Sequence, residues 1–520
     1  MRLVLSVFCL LFCLAVPLAK PAKTEEPLDI GSRRELFVDR YLIDRLQGAQ
    51  LELHEPQPAE KVLEIDRPWE NNFNYGYKVF QEGGEYHLYY LARKTLKRKE
   101  HEKLNKDGSM NHGVLRSVSY ARSQDGIHWE KPNLDLVEID GSRENNVVMK
   151  GRLIPFVDNR PGVPADRRLK ATSSHYRDRP GWKNEHPLDG KKFVDLYLYE
   201  STEGLDFRKV QEKPVFITTL PNGFDGIQSI FWSESENRYL LYFRYMTAND
   251  GTGKRSVARS TSHDLLTWSK PVPMEYTTGG IVPPEHLYEH QTVPYFRAPH
   301  IYVAFPSRFM KGRSALSKGV ARAAGITADR TWGTDPDWLL RDCSDAAFMT
   351  SRGGILYDRT FMGVFVRPGP DTLNWVSRTN YPLQGVVQTG PEEMSIYVGR
   401  HYGHPSWHIQ RLTLRLDGFS SVNASYGGGE MLTKPLKFQG SRLEINYSTS
   451  AAGGLRVEIQ DVKGNPLPGF SISDCPEIIG DEIERTVAWK GGKDLGQIVG
   501  TPIRLRFVMK DADLYSLQFK

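Results

Sequence analysis

The residues of this chain that could do chemistry are carboxylates set beside strand-like runs. Pro391-Glu392-Glu393-Met394-Ser395-Ile396-Tyr397 begins a strand whose side chains alternate, so Glu392 and Glu393 point oppositely. Glu393 shares its face with Ser395 and Tyr397, a mixed polar and aromatic face that suits a sugar. Asp158 follows Pro155-Phe156-Val157, which does not read as a solvated face. Asp225 precedes Gly226 and the strand Ser229 to Ser233, where it could form a turn or present an acid. Glu70 is the sole carboxylate of Trp69-Glu70-Asn71-Asn72-Phe73-Asn74-Tyr75, a segment in which Asn71 and Tyr75 are candidate substrate contacts. Glu289 and His290 open a further strand and could hold substrate hydroxyls. Arg359 and His401 complete the candidate contacts, with Asp358-Arg359 equally able to form a structural ion pair. Paired carboxyl groups do proton transfer, and one of them must then stay protonated near neutral pH through burial or a neighbouring charge.

Other chemistries find little support. His401 and His404 share a turn-like stretch, yet no spacing matches a strong zinc site, and neither a metal nor a cofactor is expected. No Ser-centred nucleophile elbow and no phosphate loop occur. A net charge of +5 over 520 residues, without a basic stripe interleaved with aromatics, argues against nucleic acid. Trp182, Trp375 and Trp407 could stack on sugars but fit packing roles better.

These residues must be positioned by β-structure. Tyr86 to Tyr90, Val194 to Tyr199, Tyr239 to Phe243 and Ile301 to Phe305 are rich in β-branched and aromatic residues, and no long amphipathic helix is evident. A short pattern recurs: Ser123-x-Asp125-Gly126-x-x-Trp129, Ser201-x-Glu203-Gly204-x-x-Phe207, Ser262-x-Asp264-Leu265-x-x-Trp268 and a degraded Ser351-x-Gly353-Gly354-x-x-Tyr357, with Asp417-Gly418-Phe419 as a further variant. A polar residue, an acid and a glycine make a tight turn, under which the aromatic packs. Recurrence at one supersecondary unit per copy marks a repeat architecture, here blades of four antiparallel strands. The predicted fold is all-β, a five-bladed β-propeller over residues 30–420 followed by a C-terminal β-sandwich over 430–520. The strand Glu35 to Asp39 is predicted to close the ring on the last blade, and Asn145 to open the second blade.

The first 22 residues read as a secretory signal: Arg2, then an apolar run from Leu3 to Val16 too short to span a membrane, then small residues at Ala19 and Ala22. Export with no membrane span follows. Cys343 and Cys475, which remain after cleavage, fit two free buried thiols better than a disulfide.

A five-bladed propeller with these turns and a C-terminal β-sandwich resembles the glycoside hydrolases of the invertase, levanase, arabinanase and β-xylosidase superfamily. Sialidases carry a related turn with one more residue between acid and glycine, and no arginine triad is recognisable among Arg160, Arg244, Arg297, Arg308 and Arg359. The resemblance implies a carbohydrate substrate, a plant or algal polysaccharide, cleaved between carboxylates of the central funnel. It places Glu70 where the family's first acid stands. Asp158, in Phe156-Val157-Asp158-Asn159-Arg160-Pro161, takes the place of the stabilising acid, and Asp225 stands near the third. With Glu393 these are the four expected catalytic residues, of which at least three should meet in one central pocket. A non-catalytic, carbohydrate-binding or scaffolding propeller is the alternative.

Overall fold

The computed structural model describes residues 26–95, 110–111, 114–183, 185–186, 188–277, 285–326, 337–492 and 494–520. The segment read as a secretory signal lies outside the described residues. Five sheets follow one another as propeller blades, antiparallel except where Glu275–Thr277 runs parallel to Leu356–Asp358 at the outer edge of the fourth. Their innermost strands are Tyr75–Glu82, Ile154–Val157, Ser229–Ser233, Val293–Tyr295, and the pair Tyr381–Pro382 and Val387–Gln388. Each blade buries both faces against its neighbours, so the chain has a series of apolar seams between blades. One seam holds Tyr89, Val118 and Ala171, and the next holds Leu196, Ile230 and Phe243.

The repeated turns all stand at the end of a blade's third strand. Val114–Ser123, Lys192–Ser201, Arg255–Ser262 and Met349–Ser351 each finish on the serine of the pattern, and His408–Arg415 leads into Asp417-Gly418. In the first blade the Asp125 carboxylate accepts from the backbone N–H of Ile127 and His128, both at 2.8 Å. The Ser123 hydroxyl accepts from the Gly126 N–H, and the Trp129 indole donates to the Gly126 carbonyl. Ser262, Asp264 and Trp268 repeat these bonds with Leu265 in the glycine's place, at a φ of 67°. The turns also lock blade to blade. Tyr397 of the fifth blade donates its hydroxyl to Gly126 O at 2.6 Å, and Tyr89 of the first donates to Gly204 O of the second at 2.7 Å. Tyr397→Phe, which removes one of the two hydrogen bonds that Gly126 O accepts at the ring's closing seam, is expected to lower stability by about 1 kcal/mol in a urea titration.

Two expectations about the strands are corrected. The ring is closed by Gln57–Glu64, which pairs with His408–Arg415 as the outer strand of the fifth blade. Glu35–Leu36 pairs instead with Arg504–Phe519 of the sandwich. Alternation explains the choice: Phe37 enters the sandwich core while Leu36 and Val38 enter the core shared with the fourth and fifth blades. The buried Glu35 carboxylate takes Arg352 and His300 of the propeller as partners, pinning the two units together. The second correction concerns Val147–Lys150, which pairs with Val114–Ser123 as the outer strand of the first blade rather than opening the second.

The sandwich is built on one eight-stranded sheet in which Leu443–Gln460 and Arg504–Phe519 are the long strands. Their pairing is broken by a register shift between Thr449 and Gly454, where the sheet bends over a core containing Met431, Val457, Leu505 and Phe507. Strands Ile43–Gln47 and Ala49–Leu53 from the N-terminal side belong to this sheet as well. Cys343 and Cys475 are both buried and free.

Candidate active site

The blade strands meet two cavities, one at each end of the propeller axis. The turns fix which end is which: Ser123 pairs with Tyr86, where the first blade's inner strand is finishing at Glu82. The cavity at that end is lined by Lys78, Glu82, Asn159, Glu234 and Gln388 among others. The opposite cavity, of about 230 Å³, opens where the inner strands begin. It is lined by Tyr75, Tyr77, Leu91, Arg93, Arg116, Arg152, Asp225, Ile227, Arg255, Tyr288, Glu289, Arg378 and Tyr402.

Two carboxylates face this cavity. Asp225 precedes the third blade's inner strand and Glu289 leads into the fourth blade's. Arg244, on the neighbouring strand Arg238–Met246, reaches both: one guanidinium nitrogen donates to Asp225 Oδ2, and another lies 3.8 Å from Glu289 Oε1 and donates to Tyr288 O at 2.9 Å. Glu289 Oε2 accepts from the Ile227 N–H at 2.6 Å. A Cβ on Gly226 would stand 2.6 Å from that same oxygen, so a larger residue there would displace the Glu289 carboxyl. Burial pushes the Glu289 carboxyl up to about 7 against the pull of Arg244 and the Ile227 N–H, and the Asp225 charge adds to the rise. Asp225 differs in exposure, with half its side chain open to solvent. Backbone strain collects at this rim: Phe224, Gln291, Arg378 and Asn380 have φ of 58°, 52°, 63° and 60°.

Tyr288 stands in an unusual field. Guanidinium carbons of Arg244 and Arg255 lie 4.4 Å from its ring centre, and Arg378 Nε donates to its hydroxyl at 3.2 Å. Burial pushes the phenol up, but Arg378, Arg244 and Arg255 outweigh it and leave the group below the ordinary tyrosine range. Such a phenol is a better proton donor or nucleophile than an ordinary tyrosine. Tyr75 completes the wall, its buried hydroxyl without a hydrogen-bond partner among the described residues and its ring edge-on to Tyr381 and Tyr402.

Of the four residues expected to be catalytic, the cavity brings in Asp225 alone, so the expected convergence of three is corrected. Glu70 is turned into the first blade, where its carboxylate accepts from the Tyr90 hydroxyl at 2.5 Å, Lys131 Nζ at 2.9 Å and the backbone N–H groups of Asp66 and Arg67. Asp158 lies at the far end of the second blade's inner strand, buried against the Tyr239 hydroxyl at 2.9 Å and Lys170 at 3.5 Å. Glu393 starts the strand Glu393–Arg400 and is held by Arg411 at 2.6 Å and Thr389 at 2.8 Å.

Of the expected substrate contacts, Tyr75 and Glu289 line the cavity and four do not. Asn71 caps its own turn by accepting from the Phe73 N–H. His290 is buried beside Glu289 with Nδ1 3.0 Å from Thr292 Oγ1, and burial lowers it to about 3. Arg359 is buried in an ion pair with Glu285 at 2.7 Å. His401 is fixed between Asp371 and Ser406. Among the described residues no group of three His, Cys, Asp or Glu side chains is arranged to hold a metal.

The sequence reading missed the arginines. Arg93, Arg116, Arg152, Arg255 and Arg378 come from the first, second, third and fifth blades or the segments entering them. The usable signal was positional: each falls at the blade end opposite the repeated turn. Arg93 and Arg116, for instance, are seven residues past Tyr86 and seven before Ser123 on paired strands.

No family model matches the chain, and no curated protein matches it. Similar solved structures include an N-acetylgalactosamine deacetylase from F. plautii in complex with blood group B trisaccharide, at 11% identity over 72% of this chain and 97% of that one, with a TM-score of 0.41. They also include a β-1,2-mannobiose phosphorylase from Listeria innocua, at 12% identity over 69% and 98%, TM-score 0.39. A third is a glycoside hydrolase family 43 arabinoxylan arabinofuranohydrolase from Bacillus subtilis, at 10% identity over 86% and 96%, TM-score 0.34. Identity of this order says nothing of activity, and the chemistry of the cavity rests on its own residues.

Proposed function

We propose that the protein is an exported, carbohydrate-active hydrolase that cleaves a glycosidic bond of a plant or algal polysaccharide at the mouth of the propeller axis. Glu289 is the general acid: its proton passes to the leaving oxygen as the bond to the anomeric carbon breaks. Asp225 is the second carboxylate, attacking that carbon or taking a proton from the water that does. The observation that carries this reading is the pairing itself. A carboxyl group retained in its acid form up to about pH 7 stands beside a solvent-reached carboxylate, both in one small cavity and both reached by Arg244. Acid and base roles require two carboxyl groups in different environments, here one buried and one open to solvent. Glu70, Asp158 and Glu393 are framework ion pairs in this reading.

The test is release of reducing ends from a panel of plant and algal polysaccharides by the purified protein. The Asp225→Asn/Glu289→Gln double variant serves as the blank. Release by the wild type alone is the expected result; binding of a glycan with no release from any would identify a carbohydrate-binding propeller instead. Glu393→Gln, whose partners are Arg411 and Thr389 at a distance from the cavity, should leave kcat/KM within about twofold, as for ordinary substitutions away from a site.

A further inference from the structure

Several arginines elsewhere in this chain meet carboxylates. Arg308 pairs with Asp345, Arg352 with Glu35 and Asp39, Arg359 with Glu285, and Arg411 with Glu60 and Glu393. The arginines lining the cavity differ. Among the described residues, no carboxylate lies within ion-pair distance of Arg116, Arg152, Arg255 or Arg378. Arg152 donates to the Gly226 carbonyl, and among the described residues its buried Nε has no hydrogen-bond partner. Arg255 meets the neutral ring nitrogen of His286 at 3.2 Å, and Arg378 meets the Tyr288 hydroxyl. Arg116 stands directly across the strand pair from Arg93, an arrangement of like charges that costs stability. Burial, with Arg93 and Arg152 close by, holds the Arg116 guanidinium below its ordinary range. The two carboxylates that line the cavity among the described residues, Asp225 and Glu289, are both reached by Arg244, which stands outside this group.

Guanidinium charge gathered in a small cavity, with no carboxylate at ion-pair distance among the described residues, is costly until a counter-charge arrives. We infer that the substrate supplies it: the sugar residue bound beside Asp225 and Glu289 carries an anionic group, a uronate carboxylate or a sulfate ester, received by Arg116, Arg152, Arg255 and Arg378. Planar guanidinium forks match both groups through paired N–H···O bonds. The inference rests on reading Asp225 and Glu289 as the hydrolytic pair, and it adds the substrate class.

The experiment is calorimetric titration of the full chain carrying Glu289→Gln, so that nothing turns over, with galactose, galacturonate and galactose 6-sulfate. The anionic sugars are expected to bind at least tenfold more tightly than galactose, with a preference that shrinks as salt is raised. Preference for galacturonate alone assigns the carboxylate, and for the sulfate ester alone the sulfate. Arg116→Gln and Arg378→Gln should each reduce the preference roughly tenfold, the worth of one charge-assisted contact. Arg116→Lys, which keeps the charge and loses the fork, should fall between wild type and Arg116→Gln. Equal affinity for neutral and anionic sugars would overturn the inference. Its failure is separable from that of the hydrolase reading. Hydrolysis of neutral glycans with no anionic preference removes the subsite and keeps the reaction. Tight anionic binding with no hydrolysis of any glycan by the wild type removes the reaction and keeps the subsite.

Discussion

Replacement of Glu289 by glutamine is expected to lower kcat/KM on the substrate found in the polysaccharide screen by about 10²–10⁴, the usual worth of a positioned general acid. Glutamine keeps the shape and still accepts from the Ile227 N–H, so the loss isolates the proton. The wild-type pH profile should carry the same group. The acid works when protonated, and burial sets its midpoint at about 7, so activity should fall as pH rises through about 7. That alkaline limb should be missing from the residual activity of Glu289→Gln. Stability gives an independent readout. A carboxyl raised from 4.5 to about 7 on folding favours the folded state below pH 4.5, and that contribution is lost as pH rises to about 7. The variant should therefore gain on the wild type between those pH values, by about 3 kcal/mol at most, measured by urea titration at pH 4 and pH 8. A variant that keeps wild-type turnover, or keeps the alkaline limb, would remove Glu289 from the acid role.

The fold was legible because it is written locally. Each blade's third strand ends in a turn closed by contacts within seven residues, as from Ser123 to Trp129, and these recur often enough to count blades. What failed locally was strand assignment at the edges. The partners of Glu35–Leu36 and Gln57–Glu64 lie more than 300 residues away, so nothing nearby in sequence tells which sheet each joins. The site failed for a related reason. Asp225, Glu289 and Tyr75 stand beside inner strands, where blade counting leads. Glu70, Asp158 and Glu393 have the same local appearance, but Tyr90, Tyr239 and Arg411 turn them into the framework. The cavity arginines are single basic residues near strand ends, each indistinguishable from a solvated side chain until the ring brings them together. Arg93 and Arg116 become a pair only through a cross-strand register 23 residues wide.

Arg244→Met is expected to produce the largest combined effect, because one buried guanidinium holds three partners. It donates to Asp225, stands 3.8 Å from Glu289 and donates to the Tyr288 carbonyl while lying against the Tyr288 ring. Methionine fills part of the volume and supplies no donor. Asp225 can turn to solvent and Glu289 can keep its proton, so neither remains as an isolated buried charge. The stability cost should accordingly sit at the low end for a broken buried ion pair, about 3 kcal/mol by denaturant titration. The catalytic consequences run in opposite directions. Arg244 pulls the Glu289 pKa down, so its removal should shift the alkaline limb to higher pH. Arg244 also orients Asp225, so kcat should drop on the order of 10²-fold even at a pH where Glu289 is fully protonated. Arg244→Lys separates the two: it restores a charge near Glu289 and so returns the limb toward about 7, but one ammonium cannot hold Asp225 and the Tyr288 carbonyl in the same fork, and kcat should stay low. An Arg244→Met enzyme with an unshifted pH limb and near wild-type kcat would show that Asp225 and Glu289 do not act as a pair.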